Sequence, residues 1–431
     1  MDQNCKKKIA TLLALSFIIL SLSPIVSSNE TIELEKNEIQ SSSQDEKIEL
    51  DLLRSEYYLY LDAKENVSSF NIRYSFPPEY GYQIPIIMEI LDDTNATIID
   101  YRIENDTNEP NKIVNFTVGS INKNDQKLLH FNYWVLVKNH NYSDLPDNVK
   151  IPKENELPPE TLKWLSPTKV VQSEKFRIKL RARLEKFLTN NLLKLADRIA
   201  KFCLKHRFLL FFIQYKLGLY RSQDALTTLK RNGECPGRSH LGCALFRANN
   251  VPARVILANP SAKVWYEMHY MIEYYCPNYG WILTEIHNGI TPYEPKNQVI
   301  MRICYPEDEN NTQTDFIFPK MTGIESWMWI DNGNIKPYYK DLKQGSKTTM
   351  TIENEVTVDK MPGEDAINLT KILYKKYEYY LNIDLTGENL THFQNAVNYQ
   401  MKAISAFKDS VDAFGYVYYM DKSLNEYNEI V

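Results

Sequence analysis

The sequence predicts an α+β protein: a β-sandwich-like domain, a mixed core, and a C-terminal region of strands and helices. Three observations carry this. Short apolar runs of period two recur between Tyr57 and His140. From Phe176 the period changes to 3.6 residues. Beyond Tyr305, β-like runs give way to long helical patterns.

Composition bounds the class. Charged residues make up 24% of the 431-residue chain and hydrophobic residues 43%, an ordinary globular balance with room for about two or three domains. A largely disordered chain and a multi-span membrane protein are excluded. The net charge of −5 gives no global basic excess for nucleic acid. No glycine-rich loop supports nucleotide chemistry.

Residues 1–28 read as a signal peptide. Lys6, Lys7 and Lys8 precede an apolar run from Ile9 to Val26, and Val26-Ser27-Ser28 offers small residues for cleavage. An uncleaved signal anchor is the alternative, so the expected location is secreted or cell-envelope associated. Nine N-x-[ST] sequons fit an exported chain, and none lies between Ser143 and Asn310; a chain this rich in Asn also produces such tripeptides by chance. Residues 29–50 are polar and acidic and read as a disordered lead-in.

Residues 51–145 hold six strand-like runs: YYLYL, FNIRYSF, PIIMEIL, TIIDYRI, IVNFTV and LLHFNYWVLV. Clusters of Asn, Asp, Pro and Gly separate them, as in a sandwich. A Pro-rich connector spans 146–170. In the core, 171–305, Phe176, Leu180, Leu184, Phe187 and Leu188 recur at helical spacing, followed by Leu195, Ile199 and Phe202. Phe208–Ile213 reads as part of a core helix, too short to span a bilayer. Between Val171 and Arg231 stand 15 Lys+Arg against 4 Asp+Glu. Such a basic face meets an acidic polymer or an anionic surface, or is simply solvated. Residues 306–431 carry β-like runs at DFIFPK, WMWI and TTMTIENEVTV, then helical patterns at Asp365–Tyr380 and Asn389–Phe407.

The chemistry concentrates in Ala225–Glu285. Ala225–Leu229 ends a helix, and Gly233, Pro236 and Gly237 break it. His240, Leu241, Ala244, Leu245 and Ala248 resume a helical period, so Cys235 falls at a helix N-terminus. There, unpaired N–H groups and the helix dipole favour a thiolate and can hold an oxyanion. His269 lies on an alternating strand, and Glu285 follows a second strand across the Tyr279-Gly280 turn. Antiparallel neighbours can set a His beside a carboxylate that orients the imidazole.

These residues resemble the transglutaminase-like superfamily. The resemblance rests on Gly233-Glu234-Cys235, on Arg247-Ala248-Asn249-Asn250-Val251-Pro252-Ala253-Arg254, on His269, Glu273 and Tyr275, and on Gly280-Trp281 with Glu285 four positions later. The segment LPPETLKWLSPTKVVQSE looks like the lead-in often seen before such cores. The resemblance covers about Val171–Tyr305 and implies a papain-like thiol-enzyme fold with a Cys-His-Asp type triad. Here the Asp position is Glu285. Cys235, His269 and Glu285 are thus the implied catalytic residues, with His287 or Asn288 as alternative orienters. The implied activity is amide acyl transfer on a protein or peptide through a thioacyl-cysteine. Many microbial relatives are regarded as peptidases, which favours hydrolysis over crosslinking. No metal or organic cofactor is required, and membrane contact is expected only through an uncleaved N-terminal segment.

Other readings stay open. Trp265, Trp281 and Glu273 are candidate substrate-lining residues, and each fits a structural role equally well or better. Gln223 and Trp265 are candidate oxyanion donors. Cys235, His240 and Cys243 form C-x4-H-x2-C, which is not a standard zinc spacing. Cys5 leaves with a cleaved signal peptide. Cys203, Cys243, Cys276 and Cys304 then suffice for two disulfides or remain buried thiols. The Asp-to-Glu change favours a second reading, an inactive cell-surface binding or scaffold protein.

Overall fold

The computed structural model describes residues 47–207, 222–260, 268–315, 320–337 and 347–431. The signal peptide, Cys5, most of the lead-in, the Phe208–Ile213 run, Trp265 and most of DFIFPK lie outside these residues.

All six expected strands of the first region form: β1 (Lys47–Ala63), β2 (Phe70–Phe76), β3 (Gln83–Ile90), β4 (Ile98–Asn105), β5 (Lys112–Val118) and β6 (Gln126–Lys138). The lead-in, expected to reach residue 50, ends earlier, because Ile48 and Leu50 alternate inward and start β1. One sheet is built on β1, with β6 on one side and β3 beyond it; the other carries β2, β5 and β4. Aromatic rings fill the space between them. Tyr57 of β1 meets Tyr74 of β2 edge-on, and Phe131 of β6 packs against Phe116 of β5.

The Pro-rich connector forms two short 3-10 turns, and the second buries Trp164. The core follows with helices α1 (Phe176–Phe187), α2 (Leu192–Leu204), α3 (Ala225–Arg231) and α4 (Cys235–Arg247). Strands β7 (Ala253–Pro260), β8 (His269–Cys276), β9 (Gly280–Thr284) and β10 (Gln298–Ile303) form one antiparallel sheet in the order β10-β7-β8-β9. Helix α4 is buried along nearly its whole length, with Phe246 stacked on Tyr274 of β8.

Helix α1 forms as its spacing predicts, but its apolar stripe is not the buried side. The stripe Phe176, Leu180, Leu184, Phe187 and Leu188 faces outward, while Ile178, Ala182 and Glu185 face the core. Helical spacing fixes that apolar residues share a side, not which side is covered.

Beyond the core come α5 (Pro306–Asn310), β11 (Gln313–Thr314), β12 (Thr322–Ile324), β13 (Met328–Ile330), β14 (Ile335–Pro337) and β15 (Lys347–Asp359). Three of these strands complete sheets begun hundreds of residues earlier: β13 pairs with β2, and β14 and β15 both pair with β1. Strands β13, β14 and β15 therefore belong to the N-terminal sandwich, while β11 and β12 pair with each other. Helices α6 (Lys360–Leu381), α7 (Gly387–Ser410) and α8 (Ala413–Asn428) close the chain. The first two match the expected patterns, and α8 is a third that the sequence reading did not separate.

Candidate active site

Cys235 is the first residue of α4. Pro236 follows, where the missing N–H costs nothing because the first turn has no intrahelical acceptors. No side chain caps this N-terminus, so its backbone donors and the positive end of the helix face the thiol. Backbone contacts fix the approach. The Gln223 side-chain oxygen Oε1 accepts the Glu234 N–H at 2.9 Å, and the Gly233 N–H donates to the His206 carbonyl at 2.8 Å. A Cβ on Gly237 would come within 2.4 Å of Thr228 Oγ1 and 2.8 Å of Gln223 Oε1, so only glycine lets the helix start this close. Gln223, weighed as an oxyanion donor, thus holds the turn before the thiol through its side-chain oxygen.

Cys235 is half-buried, whereas Cys203, Cys243, Cys276 and Cys304 are buried, and all five are free thiols. No disulfide joins them, so the buried-thiol alternative holds. Burial pushes the Cys203, Cys243 and Cys304 thiols up, and Cys276 to about 11, which leaves them protonated and inert at neutral pH.

His269 opens β8, and Glu285 lies just past β9. The register Ile272↔Thr284 brings the two within diagonal reach. His269 Nε2 lies 2.7 Å from Glu285 Oε2. The imidazole is also hydrogen-bonded to Cys235. With Nε2 on the carboxylate, Nδ1 is the nitrogen left for the thiol. Burial alone would discharge His269; the Glu285 charge and the bonds to Cys235 and Glu285 outweigh it and raise the imidazole to about 10. Burial likewise opposes ionisation of Glu285, but the His269 charge and its hydrogen bonds hold the carboxyl below the usual range. The resting pair is therefore imidazolium and carboxylate, with Cys235 on the imidazolium's other side.

The loop that follows holds the Glu285 carboxylate in place. Glu285 and Ile290 exchange two backbone hydrogen bonds of 2.9 and 3.0 Å, closing a tight loop. Gly289 in that loop has φ +69, which glycine adopts without strain. Within it the His287 N–H donates to Glu285 Oε1 at 2.6 Å. Both carboxylate oxygens are thus engaged.

Sequence reasoning did not find Arg238. It is fully buried one turn after Cys235; one guanidinium nitrogen donates to His287 Nδ1 and the other to the His287 carbonyl at 3.2 Å. Burial, then Arg238 and His269, push His287 down to about 3, so it is a neutral acceptor. His287, weighed as an orienter of His269, instead supplies its backbone N–H to Glu285. The available signal was its helical spacing from Cys235, since i and i+3 share a face. Glu234, just before the thiol, is pushed by burial up to about 7 against the pull of Arg238 and Arg207.

The candidate substrate residues fare differently. Glu273 is buried, lies 2.7 Å from Arg254 and accepts the Tyr80 hydroxyl at 2.9 Å. Arg254 lies over the Trp281 ring at 3.7 Å and over Trp164 at 4.8 Å. Glu273 and Trp281 therefore build a cation–aromatic box around Arg254. The other motif arginine, Arg247, is equally structural, making a fully buried two-point pair with Glu309. His240 uses Nδ1 on the Gln223 carbonyl and Nε2 on Glu325, both at 2.6 Å. Its nitrogens are thus committed to the fold, away from Cys235 and Cys243.

Comparison with known proteins agrees with the core. Residues 189–286 match the family model of the Transglutaminase-like superfamily, so this stretch is a transglutaminase-like core. The matched residues contain Cys235, His269 and Glu285. No curated protein matches the chain. A solved structure of a candidate cysteine protease from Cytophaga hutchinsonii is 14% identical, with TM-score 0.48, covering 71% of this chain and 100% of that one. A candidate protease from Parabacteroides distasonis is 11% identical, with TM-score 0.23, covering 53% of this chain and 42% of that one.

Proposed function

We propose that this protein is an exported thiol enzyme that opens an amide bond, in a peptide backbone or a Gln side chain, through a thioacyl intermediate on Cys235. One observation carries the reading: the His269 imidazole is bonded to a buried carboxylate and also interacts with a half-buried thiol at a helix N-terminus. Export is supported by Lys6–Lys8 and the apolar run after them.

The steps follow from the atoms. The Cys235 sulfur, its proton already carried by His269, attacks the amide carbonyl carbon, and the C=O pair moves to oxygen. Backbone donors at the start of α4 face this site and stabilise the oxyanion. As the oxyanion collapses, the C–N bond breaks and imidazolium His269 gives its proton to the leaving amine. Neutral His269 then takes a proton from water, the hydroxide oxygen attacks the thioester, and the carboxylic acid leaves as Cys235 returns to the thiolate–imidazolium state. Glu285 keeps the imidazole in place and stays ionised throughout. An amine in place of water would give transamidation. Hydrolysis is favoured by the resemblance of the motifs to microbial peptidases.

The test is capture of the intermediate. Cell-envelope extract is incubated with wild type and with Cys235→Ala, and the adduct is read by mass spectrometry. An acyl group on wild-type Cys235, released by water faster than by added amine, supports the reading. The competing scaffold reading drew on the Glu-for-Asp change, yet Glu285 reaches His269 at 2.7 Å. Absence of any acyl adduct, together with Cys235 alkylation no faster than that of the buried thiols, would favour the scaffold.

A further inference from the structure

Five large apolar side chains line the outward side of α1. Phe176 and Phe187 are 77% and 86% exposed, and Leu180, Leu184 and Leu188 are exposed with them. At about 3.6 residues per turn these positions fall within roughly a third of the helix circumference, nearly opposite the buried Ile178 and Ala182. Single exposed leucines need no explanation, but a contiguous stripe marks a surface that meets something.

The charges around the stripe say what. Helix α1 holds five Lys and Arg and one acid, Glu185. That acid points inward, where it pairs with Arg181 and Arg198. Arg177, Lys179 and Arg183 remain exposed beside the stripe and Lys186 is half-buried, none of them ion-paired among the described residues. A second copy of this helix would set these like charges together. A soluble polyanion would satisfy the charges and leave the apolar stripe in water. A bilayer rich in anionic lipid satisfies both, because acyl chains take the Phe and Leu side chains while headgroup phosphates take the guanidinium and ammonium groups. The helix has 12 residues, about 18 Å, too short to span a bilayer but long enough to lie in its interface. Among the described residues no helix is long and apolar enough to cross a membrane.

We propose that the outward face of α1 is a docking surface for an anionic lipid bilayer. It is a contact beyond any that an uncleaved N-terminal segment would make and is independent of the chemistry at Cys235.

The test is hydroxyl-radical footprinting of the full chain, reading side-chain modification at Phe176 and Phe187 by mass spectrometry. This local readout is blind to insertion of the N-terminal segment. The chain is measured alone, with phosphatidylcholine vesicles, and with vesicles that also contain phosphatidylglycerol. Both phenylalanines should be modified readily without lipid and protected by phosphatidylglycerol vesicles. High salt should reverse the protection. The variant R177Q/K179Q/R183Q should need roughly a hundredfold more anionic lipid for the same protection, at about fivefold per charge. All three residues are exposed, so an unchanged melting curve will show that the variant is folded. Equal protection by phosphatidylcholine alone would overturn the proposal, as would no protection by either vesicle. Low modification without lipid would also overturn it: if dependent on protein concentration it would show a second copy on the stripe, and if independent, another segment of this chain.

Discussion

Two histidine–carboxylate pairs lie in the same core, and their hydrogen bonds are nearly alike. His240 meets Glu325 at 2.6 Å and His269 meets Glu285 at 2.7 Å. In both, burial acts to discharge the imidazole and the carboxylate more than compensates, so both imidazoles are raised. The difference is the third partner. The second nitrogen of His240 ends on the Gln223 carbonyl, which takes no proton near neutral pH. That of His269 is left for the Cys235 thiol, whose proton the imidazole can carry. His240 and Glu325 are wholly buried, whereas the Cys235 thiol that completes the His269 group is half-exposed. A His–carboxylate pair is thus a structural element until a nucleophile stands within reach of the free nitrogen and substrate can reach the nucleophile.

The sharpest break of this comparison is at the nucleophiles. Cys235→Ala should abolish rapid alkylation and lower acyl transfer by about a thousandfold or more. Cys243→Ala, on the same helix but buried, should leave both intact and cost about 1 kcal/mol of stability. Equal loss in the two variants, measured by iodoacetamide kinetics, would place the nucleophile elsewhere.

The histidines should separate next. His269→Ala should slow thioacyl formation by roughly 100- to 10,000-fold. His240→Ala should instead appear in a denaturant titration, at about 3–5 kcal/mol, because it strands a buried carboxylate. A His240→Ala protein as stable as wild type would show that this pair does not hold the core.

Glu285→Gln probes the pH dependence. The productive state needs a proton on His269, which is lost as pH rises through its folded value of about 10. The rate should therefore fall on the alkaline side near pH 10 in wild type. Without the carboxylate charge that limb should move toward neutrality. The linked stability has the same sign: a raised imidazole stabilises the fold fully below its ordinary value, and this is lost as pH rises through about 10. An alkaline limb that stays put in the Gln variant would sink the assignment of Glu285.

The smallest effect belongs to Arg238. It acts through His287 on Glu285, so Arg238→Gln should lower kcat by roughly tenfold, leaving KM unchanged. A rise in KM alone would mark it as a binding residue instead.

Much of this was legible along the chain. The six sandwich strands announce themselves through alternation bounded by turn residues, and Gly233, Pro236 and Gly237 place Cys235 at a helix start. What was not legible depended on partners distant in sequence. Glu273 shares a motif with His269, but Arg254 and Tyr80 claim it. Arg238 reads as one more basic residue until the loop after Glu285 folds over it. The membership of β15 in the first sheet is set by its pairing with β1, nearly three hundred residues away.

The sequence by itself determined the elements and the order of the reacting groups, because periodicity, capping and turn chemistry are interactions among near neighbours. It could also supply a Glu where the related pattern has Asp, but not say whether the longer side chain reaches. Tertiary structure decided that, through the hairpin register and the His287 N–H that place the carboxylate against His269. It decided too that the apolar stripe of α1 faces outward, since burial is settled only when surfaces from distant parts of the chain compete for the same contact.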